Sequence, residues 1–552
     1  MSDRALVVTA LVVAAAAWQG IPAPRQILLA VIVTAVVLRH PLVVVLAVVL
    51  AVGVRSTEQR AALDEPLPDR VAGGAELVSD PRPGRFGTSV ELHVAGRRFQ
   101  AQVPRSDEWV LRPLMSGDHV VVEGRTSRFR GAPEGWRVSR HLAGRIAVSG
   151  LRRGPPAEVW FRAANWVHRT LSAGASSFDP DARALFLGLV VGDDRDQSDL
   201  ERYRFRATGL GHLLAVSGQN VAFVMLLAGP IMRRLGLRSR WILGLCVLAA
   251  FVVLTRGEAS VMRAAMMAAV GLAVGGAGRF ASGARVMSLA VLGLCVVDPL
   301  IVDGLGFQLS VCATVGMIVG ARPIAGLLRG PGPLVDAAAC TLAAQAATAP
   351  LLLGLNGGVP SVATIANVLA VPAAGLVMVL GLTVGVLAGT VAAPVAVVLN
   401  QPARLLVDWI SQVAANGSRL PFPLLGPDRL VLLAVSIGTV LLRRGPGRSR
   451  AVTTLLVAPL VAMALWPVRP PAGVAVLGRG VVVRESRCHD RAVRVVELGA
   501  AGDVIATLAV LQRAGIVRAD LVSGKPDDAT AMVADQLGAV VVEEGSPTCR
   551  VR

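Results

Sequence analysis

The sequence predicts a polytopic α-helical membrane protein that also carries a small external β-barrel and a small α/β domain at its C-terminus. The helical part is indicated by composition, because 54% of the 552 residues are hydrophobic and only 17% are charged. The mean hydropathy of +0.61 is too high for an ordinary soluble enzyme of this length. Several apolar runs also approach or exceed the roughly 20 residues that cross a bilayer.

The N-terminal 54 residues contain three short apolar runs, at 5–18, 27–38 and 42–54. Arg4 before the first run resembles the beginning of a signal peptide, but no small-residue cleavage pattern leading into a soluble body follows it. We interpret residues 1–54 as three retained transmembrane spans.

Residues 55–150 change abruptly to charged turns and short alternating runs such as Ser89–Val94 and His119–Glu123. Period-two alternation that is interrupted by Pro, Gly and Asp is typical of β-strands, and the length fits an OB-like barrel. Five aromatic side chains could stack on bases there, although we expect more than half of them to be core residues: Phe86, Phe99, Trp109, Phe129 and Trp136.

Two helices are predicted in residues 151–211. Residues 157–175 alternate apolar and basic side chains at helical spacing, which favours an amphipathic helix lying against membrane lipids. A second helix is predicted over 180–191, with Asp179 as its N-cap and Pro180 at its first position.

Residues 212–467 form a membrane module, whose arginines indicate its topology. The loops 233–240 and 443–450 are densely basic, so both are expected in the cytoplasm. Counting about 13 spans from a cytoplasmic N-terminus places both soluble regions outside the cytoplasm. The spans of this module are expected near 213–231, 241–255, 259–278, 286–302, 308–321, 334–354, 361–378, 380–398, 429–442 and 451–466.

The formal net charge of +18 is concentrated in the membrane module and its flanks, since residues 55–150 contribute only +3 and residues 468–552 only +1. Part of this excess is the usual arginine bias of cytoplasmic loops. The rest suits an anionic cargo.

The tail, 468–552, has alternating runs at 474–477, 481–483 and 493–498 and a helical pattern at 503–514, which predicts a small α/β domain. Cys488 and Cys549 are the only cysteines here, and no spacing typical of metal ligands occurs. We predict neither a disulfide nor a metal site.

Two segments carry a recognisable signature: Gly188-Leu-Val-Val-Gly-Asp-Asp-Arg, and Phe205-Arg-Ala-Thr-Gly-Leu-Gly-His-Leu-Leu-Ala-Val-Ser-Gly-Gln-Asn-Val. They resemble the signature of the ComEC family of competence proteins. Further blocks follow in the family's order, at Ala259-Ser-Val-Met-Arg, at Asp298-Pro with Gly306-Phe-Gln-Leu-Ser, and at Gln345–Pro350 leading into Ala366-Asn-Val-Leu-Ala-Val-Pro. The resemblance covers roughly 180–380 closely.

This resemblance implies a channel in the bacterial cytoplasmic membrane that passes single-stranded DNA during natural transformation. It also implies two partners, a DNA receptor protein and a cytoplasmic helicase-like translocase. The sequence contains no Walker A loop, so any motor must be a separate protein. We predict no cofactor and no covalent chemistry.

The chain departs from the family in two places. Gln219-Asn220 stands where relatives have an apolar residue followed by His. Many relatives also end in a metallo-β-lactamase-like domain, whereas the corresponding segment here, Leu521–Ala531, has Asp527 and Asp528 but no His. We predict a shortened, catalytically inactive remnant of that domain.

Polar side chains in a span are candidates for the DNA path, because they are costly in lipid. Their alternative role is to bond neighbouring helices. For Arg263 the alternative is an ion pair with Glu258, Asp298 or Asp303. The path candidates are His212, Ser217, Gln219, Asn220, Arg263, Gln308, Ser310, Gln345 and Asn367.

Residues 202–206 interleave basic and aromatic side chains, as strand-binding segments do, so Arg202, Tyr203, Arg204 and Arg206 are candidates for the point where DNA enters. Arg195 is surrounded by acids, including Asp193 and Asp194, and is expected on a solvated surface.

Two other functions stay open. One is a transporter or scaffold for another substrate in a host that is not competent. The other is an enzyme, either a hydrolase of the tail or an intramembrane protease using Ser217. The protease is disfavoured because Ala215 replaces the first Gly of Gly-x-Ser-Gly, and because His212 would lie about 140° around a helix from Ser217.

Overall fold

The computed structural model describes residues 2–543 with internal gaps, and it divides into two compact units. The gaps are residues 39, 85–86, 130, 132–134, 215, 217, 277–281, 357, 423, 434–473, 478–479, 489–490, 500–502 and 526. The first unit comprises Met1–Asp196, Ala215–Ile318 and Gly375–Arg404, and the second comprises Gln197–Leu214, Val319–Ala374 and Leu405–Arg552. The spans predicted at 429–442 and 451–466 therefore lie mostly or wholly outside the described residues.

The described helices are mostly long and apolar, as the composition requires. They are α1 (Asp3–Gln19), α2 (Arg25–Leu38), α3 (Pro41–Asp64), α4 (Glu108–Leu111), α5 (Gly135–Ser139), α6 (Val159–Gly174), α7 (Pro180–Val191), α8 (Asp199–Ala207), α9 (Gly218–Arg233), α10 (Leu237–Leu254), α11 (Ala259–Gly276), α12 (Gly283–Val297), α13 (Leu305–Ala325), α14 (Gly332–Asn356), α15 (Ala363–Leu380), α16 (Val386–Ala388), α17 (Ala393–Ser418), α18 (Val504–Arg513) and α19 (Asp528–Leu537).

Five helices in the described part of the chain are long and apolar enough to cross a membrane: Pro41–Asp64, Leu237–Leu254, Leu305–Ala325, Gly332–Leu355 and Ala363–Ala388. Others are apolar but shorter. The 14 residues of α2 would span only about 21 Å, less than the roughly 30 Å of a hydrocarbon core. The protein is an integral membrane protein.

A single helix replaces two of the predicted spans. The spans expected at 361–378 and 380–398 are in fact one apolar helix, Ala363–Ala388, followed by α17. At Gly381–Gly385 the chain makes a π-helical turn, which widens a helix without ending it. The prediction was wrong because an apolar run does not mark where one helix ends. The even count of spans between the two basic loops therefore loses its basis.

The β-barrel follows α3, which runs on to Asp64, beyond the predicted end of the third span at residue 54. Five strands close into a ring in the order β1-β5-β6-β4-β3, and β3 pairs again with β1. Only the β4–β6 pair is parallel, which is the strand arrangement of the OB fold. The strands of this sheet are β1 (Arg70–Leu77), β2 (Arg82–Gly84), β3 (Gly87–Val94), β4 (Arg97–Val103), β5 (His119–Ser127) and β6 (Leu142–Arg153).

Alternation along these strands fills the barrel. Leu77, Leu92, Phe99, Val122 and Ile146 point inward and are almost completely buried. The OB-like barrel predicted from period-two alternation is confirmed, and its first strand begins at Arg70.

The structure has helices in both segments predicted between the barrel and the membrane module, α6 and α7, and the contact of α6 with lipids stays a prediction. Pro180 occupies the first turn of α7, as expected, but the Asp179 side chain makes no capping hydrogen bond. Its carboxylate instead lies 3.4 Å from Nη2 of Arg404.

The tail is a five-stranded sheet with two helices, which confirms an α/β domain. The strand order is β13-β12-β11-β10-β9, with β11, β12 and β13 parallel and the other pairs antiparallel. Helices α18 and α19 connect the parallel strands, as crossover helices do. The strands are β9 (Val474–Val476), β10 (Val481–Cys488), β11 (Arg491–Leu498), β12 (Leu521–Gly524) and β13 (Val540–Glu543), and a separate short pair is β7 (Val359–Pro360) with β8 (Leu424–Leu425).

Candidate functional site

The Gly-Asp-Asp-Arg segment ends α7 and turns its charges inward. Gly192 follows the helix with φ of 79°, a left-handed conformation that favours glycine. Asp193 is then only 8% exposed. Arg195 binds both carboxylate oxygens, with Nε 2.8 Å from Oδ1 and Nη2 2.6 Å from Oδ2. The expectation of a solvated surface was wrong here, because the acid and the base satisfy each other inside the protein.

His168 of α6 extends this pair. Its side chain is buried, with Nε2 2.8 Å from the carbonyl oxygen of Leu254 and Nδ1 3.8 Å from Oδ2 of Asp193. Burial alone would raise the pKa of the Asp193 carboxyl, but the hydrogen bonds and charges of Arg195 and His168 hold it well below its ordinary range.

The same charged region joins the barrel to the helices. Nε of Arg256, which follows α10 with φ of 60°, lies 3.3 Å from Oδ2 of Asp80 in the barrel. Oδ1 of Asp80 accepts a hydrogen bond from the Ser116 amide at 2.7 Å. Arg82 pairs with Asp194 at 2.9 Å. We call this set the polar seam: Asp80, Arg82, His168, Asp193, Asp194, Arg195 and Arg256.

Arg263 lies on α11, and its side chain is almost completely enclosed, at 3% exposed. Nη2 lies 3.3 Å from the Ser260 carbonyl oxygen, whereas Nη1 is buried without a hydrogen-bond partner. No carboxylate pairs with Arg263 in the part of the chain that the structure describes. A buried guanidinium lacking a counter-charge is costly, so its retention points to function.

Two of the three acids suggested as partners of Arg263 are paired elsewhere. Nε2 of His141 lies 3.0 Å from Oδ2 of Asp298, and Arg60 binds Asp303 at 2.6 Å. Burial raises the pKa of the third, Glu258.

The beginning of α9 lies directly against the Arg263 segment. A Cβ atom on Gly218 would be 3.1 Å from Cβ of Ala264, and Ser260 Oγ donates to the Val216 carbonyl at 2.6 Å. Amide N–H groups in the first turn of a helix lack intrahelical acceptors and favour anions. The backbone N–H donors at the start of α9 therefore lie against the segment of α11 that contains the Arg263 guanidinium.

The four path candidates around the start of α9 have different environments. Helix α9 begins at Gly218, and His212 is an exposed residue of the 3-10 turn Gly211–Leu213. Ser217 lies outside the described residues. Gln219 is exposed, and Asn220 donates to the Leu189 carbonyl at 3.0 Å, one of the last carbonyls of α7. Because Ser217 lies outside the described residues, the angular argument against a serine protease stays a prediction.

Gln308 and Ser310 belong to the first turns of α13 in the same unit. Nε2 of Gln308 donates to the Val302 carbonyl at 2.9 Å, which fixes the beginning of α13 to the preceding 3-10 turn, Pro299–Asp303. The Ser310 carbonyl accepts from Thr314. The Gln308 amide is therefore used in a hydrogen bond that fixes the start of its own helix.

Gln345 and Asn367 belong to α14 and α15 in the second unit. Thr364 Oγ1 donates to Oε1 of Gln345 at 3.4 Å, which links α14 to α15. Asn367 lies one turn after Thr364, is 7% exposed, and donates to the Ala363 carbonyl at 2.8 Å. The Thr364–Gln345 hydrogen bond is therefore a polar contact between two apolar helices, whereas the Asn367 amide bonds within α15.

The candidates for DNA entering at α8 need correction. Tyr203 is 5% exposed and lies in the hydrophobic core of the tail, so it cannot stack on bases. Arg204 binds Asp535 at 2.6 Å and Gln536 at 3.0 Å. Arg202 lies 3.8 Å from Asp199, and Arg206 is exposed. The alternating pattern that suggested strand binding is a helix with one face packed against the tail.

The barrel aromatics divide between core and surface. Phe99 is a core residue, whereas Trp109 is 65% exposed. The Phe129 ring packs edge-on against Trp136, and the Arg145 guanidinium lies 4.8 Å from its centroid. Phe86 lies outside the described residues.

In the tail, Asp527 accepts a hydrogen bond from the Thr530 amide at 2.8 Å, so it caps α19. Among the residues that the structure describes, no group of three His, Cys, Asp or Glu side chains could hold a metal ion. The degenerate metallo-β-lactamase origin of this domain stays a prediction, and Cys549 lies outside the described residues.

The sequence profile of the Competence protein family matches residues 189–447. The chain is also similar to ComE operon protein 3 of Bacillus subtilis (strain 168), with 31% identity over 180 residues. Residues 189–447 form a domain of the ComEC-type Competence protein family. The aligned part covers 32% of this chain and 23% of that relative, so the chain matches less than a quarter of the relative's length. No solved structure matches the chain.

The matched residues of this ComEC-type domain begin inside α7 and include Asp193, Arg195, the start of α9 and Arg263. The barrel lies before the match, and the described tail strands lie after it. The family signature therefore coincides with the helical half of the polar seam and with the surroundings of the buried arginine.

Sequence reasoning missed most of the polar seam. His168 was assigned to the polar face of an amphipathic helix, and Asp80 and Arg256 carried no motif. One signal was available: a Gly directly after a helix, followed by Asp and then Arg two residues later, suits a capped turn with an internal ion pair.

Proposed function

We propose that this protein translocates single-stranded DNA across the bacterial cytoplasmic membrane during natural transformation. The match to the Competence protein family supports a role in competence, as does the similarity to ComE operon protein 3. The observation that carries the proposal is Arg263, a buried guanidinium inside an apolar helical module with no carboxylate partner among the described residues.

Arg263 has the chemistry that a path for a polyanion requires. A planar guanidinium can bind a phosphate through two N–H groups, and it stays charged at every physiological pH. A fixed cation beside uncharged helix-start amides binds each phosphate without trapping it, because the other path candidates in the same unit, such as Gln219 and Ser310, carry no charge.

In the conformation described here, Nη1 of Arg263 is sealed by protein atoms. DNA passage therefore requires the start of α9 to separate from α11 at the Gly218–Ala264 contact. Gly218 and Ala264 are both small, so the two helices approach closely at this point, and the separation would be confined to the start of α9 because Val221 and Val261 share a hydrophobic cluster further along.

We also propose positions for the barrel and the tail, and two partner proteins. The barrel and the tail would face away from the cytoplasm, a DNA receptor would deliver the strand, and a separate helicase-like protein would pull it inward. The step assigned to this chain is transport, with no bond made or broken.

The test is import of labelled DNA into the cytoplasm of cells carrying wild-type protein, Arg263→Ala, Arg263→Lys or Arg238→Ala. Arg238 is the matched control, because it is an exposed arginine in the first turn of neighbouring α10. Membrane levels of each protein are measured in parallel. We expect Arg263→Ala to reduce import by about a hundredfold, Arg263→Lys to retain part of it, and Arg238→Ala to behave as wild type.

Normal DNA import by cells that lack the protein would refute the cargo assignment and favour a transporter or scaffold for another substrate. Normal import by Arg263→Ala at normal protein level would instead reject Arg263 as part of the path.

A further inference from the structure

The tail shares one hydrophobic core with α8. Tyr203 and Ala207 of α8 pack in the same cluster as Val483, Leu508 and Val533 of the tail. The Tyr203 hydroxyl also donates to Oε1 of Gln512 at 3.3 Å. A side chain inside a common core cannot leave it without exposing apolar surface, so the tail and α8 behave as one body.

Gln536 of α19 is the polar centre of this contact. It is 3% exposed, and both ends of its amide are used. Oε1 accepts from Nε of Arg204 at 3.0 Å, and Nε2 donates to Oγ of Ser418, at the end of α17, at 3.0 Å. One tail residue therefore holds α8 and α17 together.

The C-terminal end of α8 contacts the next helices closely. A Cβ atom on Gly417 of α17 would come within 2.8 Å of Cγ2 of Thr208, and one on Gly209 would collide with Cβ of Ala363. Gly209 has φ of 72°, so glycine is required there on both grounds. Helix α8 thus fixes the beginning of α15 and the end of α17.

The beginning of α15 contacts one candidate for the DNA path, Gln345, and contains another, Asn367. Thr364, next to Ala363, donates to Gln345, and Asn367 follows one turn later. A continuous series of contacts therefore runs from Gln536 through Arg204 and α8 to the polar contact between α14 and α15.

We propose that Gln536 and Arg204 are positioning residues for DNA translocation, through which the tail holds α8 and sets the ends of α15 and α17. This inference rests on the proposed function. It gives the tail a role that needs no metal and no catalysis, because the tail acts through packing and hydrogen bonds to α8 and α17.

The experiment compares wild-type protein with Gln536→Leu, Arg204→Ala and Gln536→Glu, and uses Arg513→Ala as control. Arg513 is an exposed residue at the end of α18. Labelled DNA import and membrane protein level are measured in cells. Trypsin cleavage within α8, which contains Arg202, Arg204 and Arg206, is measured on the purified full-length protein in detergent.

We expect Gln536→Leu and Arg204→Ala to lower import roughly tenfold at normal protein level and to make α8 cleavable. Gln536→Glu keeps the acceptor for Arg204 and should restore much of the import. Arg513→Ala should match wild type in both assays.

Unchanged import by Gln536→Leu and Arg204→Ala would overturn the positioning role, as would continued protection of α8 in both variants. If wild-type protein itself imports no DNA, the translocation proposal fails first, which separates the two failures.

Discussion

Arg195 and Asp193 form a two-point ion pair in the interior of the protein, with contacts of 2.8 and 2.6 Å. The pair lies two residues apart in the family signature, directly after the left-handed glycine that ends α7. Together with His168 and the Asp80–Arg256 contact, it places a charged cluster between the barrel and the membrane helices. The structural value of this cluster is therefore the first property to test.

Asp193→Asn should strongly destabilise the protein, because Arg195 would stay buried without its counter-charge. Removing one partner of a buried ion pair costs about 3–5 kcal/mol. We expect a clearly lower thermal midpoint of the purified protein. Asp199→Asn is the control, because the Asp199 side chain is exposed and its contact with Arg202, at 3.8 Å, is a weak surface ion pair. Equal midpoints for the two variants would contradict the account.

The stabilisation that the ionised Asp193 side chain provides should persist to acidic pH. Its pKa is lowered in the folded state, so its stabilisation is present above the unfolded value of about 3.9 and is lost only as the pH falls through the folded value. The difference in midpoint between wild type and Asp193→Asn should therefore stay constant from about pH 8 to about pH 5. A difference that vanishes by pH 6 would argue against the ion pair.

Glu258→Gln should stabilise the protein, which is opposite to the effect expected of Asp193→Asn. Burial raises the pKa of Glu258 in the folded state, so ionisation destabilises the fold as the pH rises through that value. The variant should be modestly more stable than wild type near pH 8 and equal to it near pH 4, below the unfolded value of about 4.3. Thermal unfolding at both pH values tests this. A variant less stable at both would show that Glu258 has a favourable partner.

Tyr203 offers a spectroscopic test, because it is the only tyrosine in the chain. Burial raises its pKa, so tyrosinate absorbance should not appear near pH 10 while the protein stays folded. Titration near pH 10 in the folded protein would mean that Tyr203 is exposed and available to DNA.

Replacement of Tyr203 should distinguish packing from base stacking. Tyr203→Phe should cost about 1 kcal/mol, whereas Tyr203→Ala should cost about 3–5 kcal/mol by leaving a cavity in the tail core. Thermal midpoints of the two variants measure the difference.

Gly389→Ala should lower the amount of folded protein in membranes, because a Cβ atom there would collide with the Thr170 carbonyl oxygen of α6. Both atoms belong to the backbone or are fixed to it, so neither can give way cheaply. Gly271→Ala is the control, since no atom lies near that position, and alanine favours a helix. Similar levels of the two variants would show that the α6 contact is loose.

The sequence alone determined the parts of this protein that depend on local pattern. Hydrophobic composition specified a membrane protein, period-two alternation specified the barrel, and Pro180 located the start of α7. The signature segments that begin at Gly188 and Phe205 indicated the resemblance to the ComEC family. Each of these signals acts over a few residues, so it survives without knowledge of the fold.

Tertiary structure decided the rest. Whether Tyr203 meets DNA or a protein core, whether Asp193 is solvated, and whether Arg263 has a carboxylate partner all depend on residues distant in sequence. The number of helices between 361 and 398 was also decided by packing, because Gly381 lies against Val190 and the helix widens there without ending. The physical reason is common to all four: burial and pairing are set by which segments meet, and the local pattern of apolar and charged residues does not specify that.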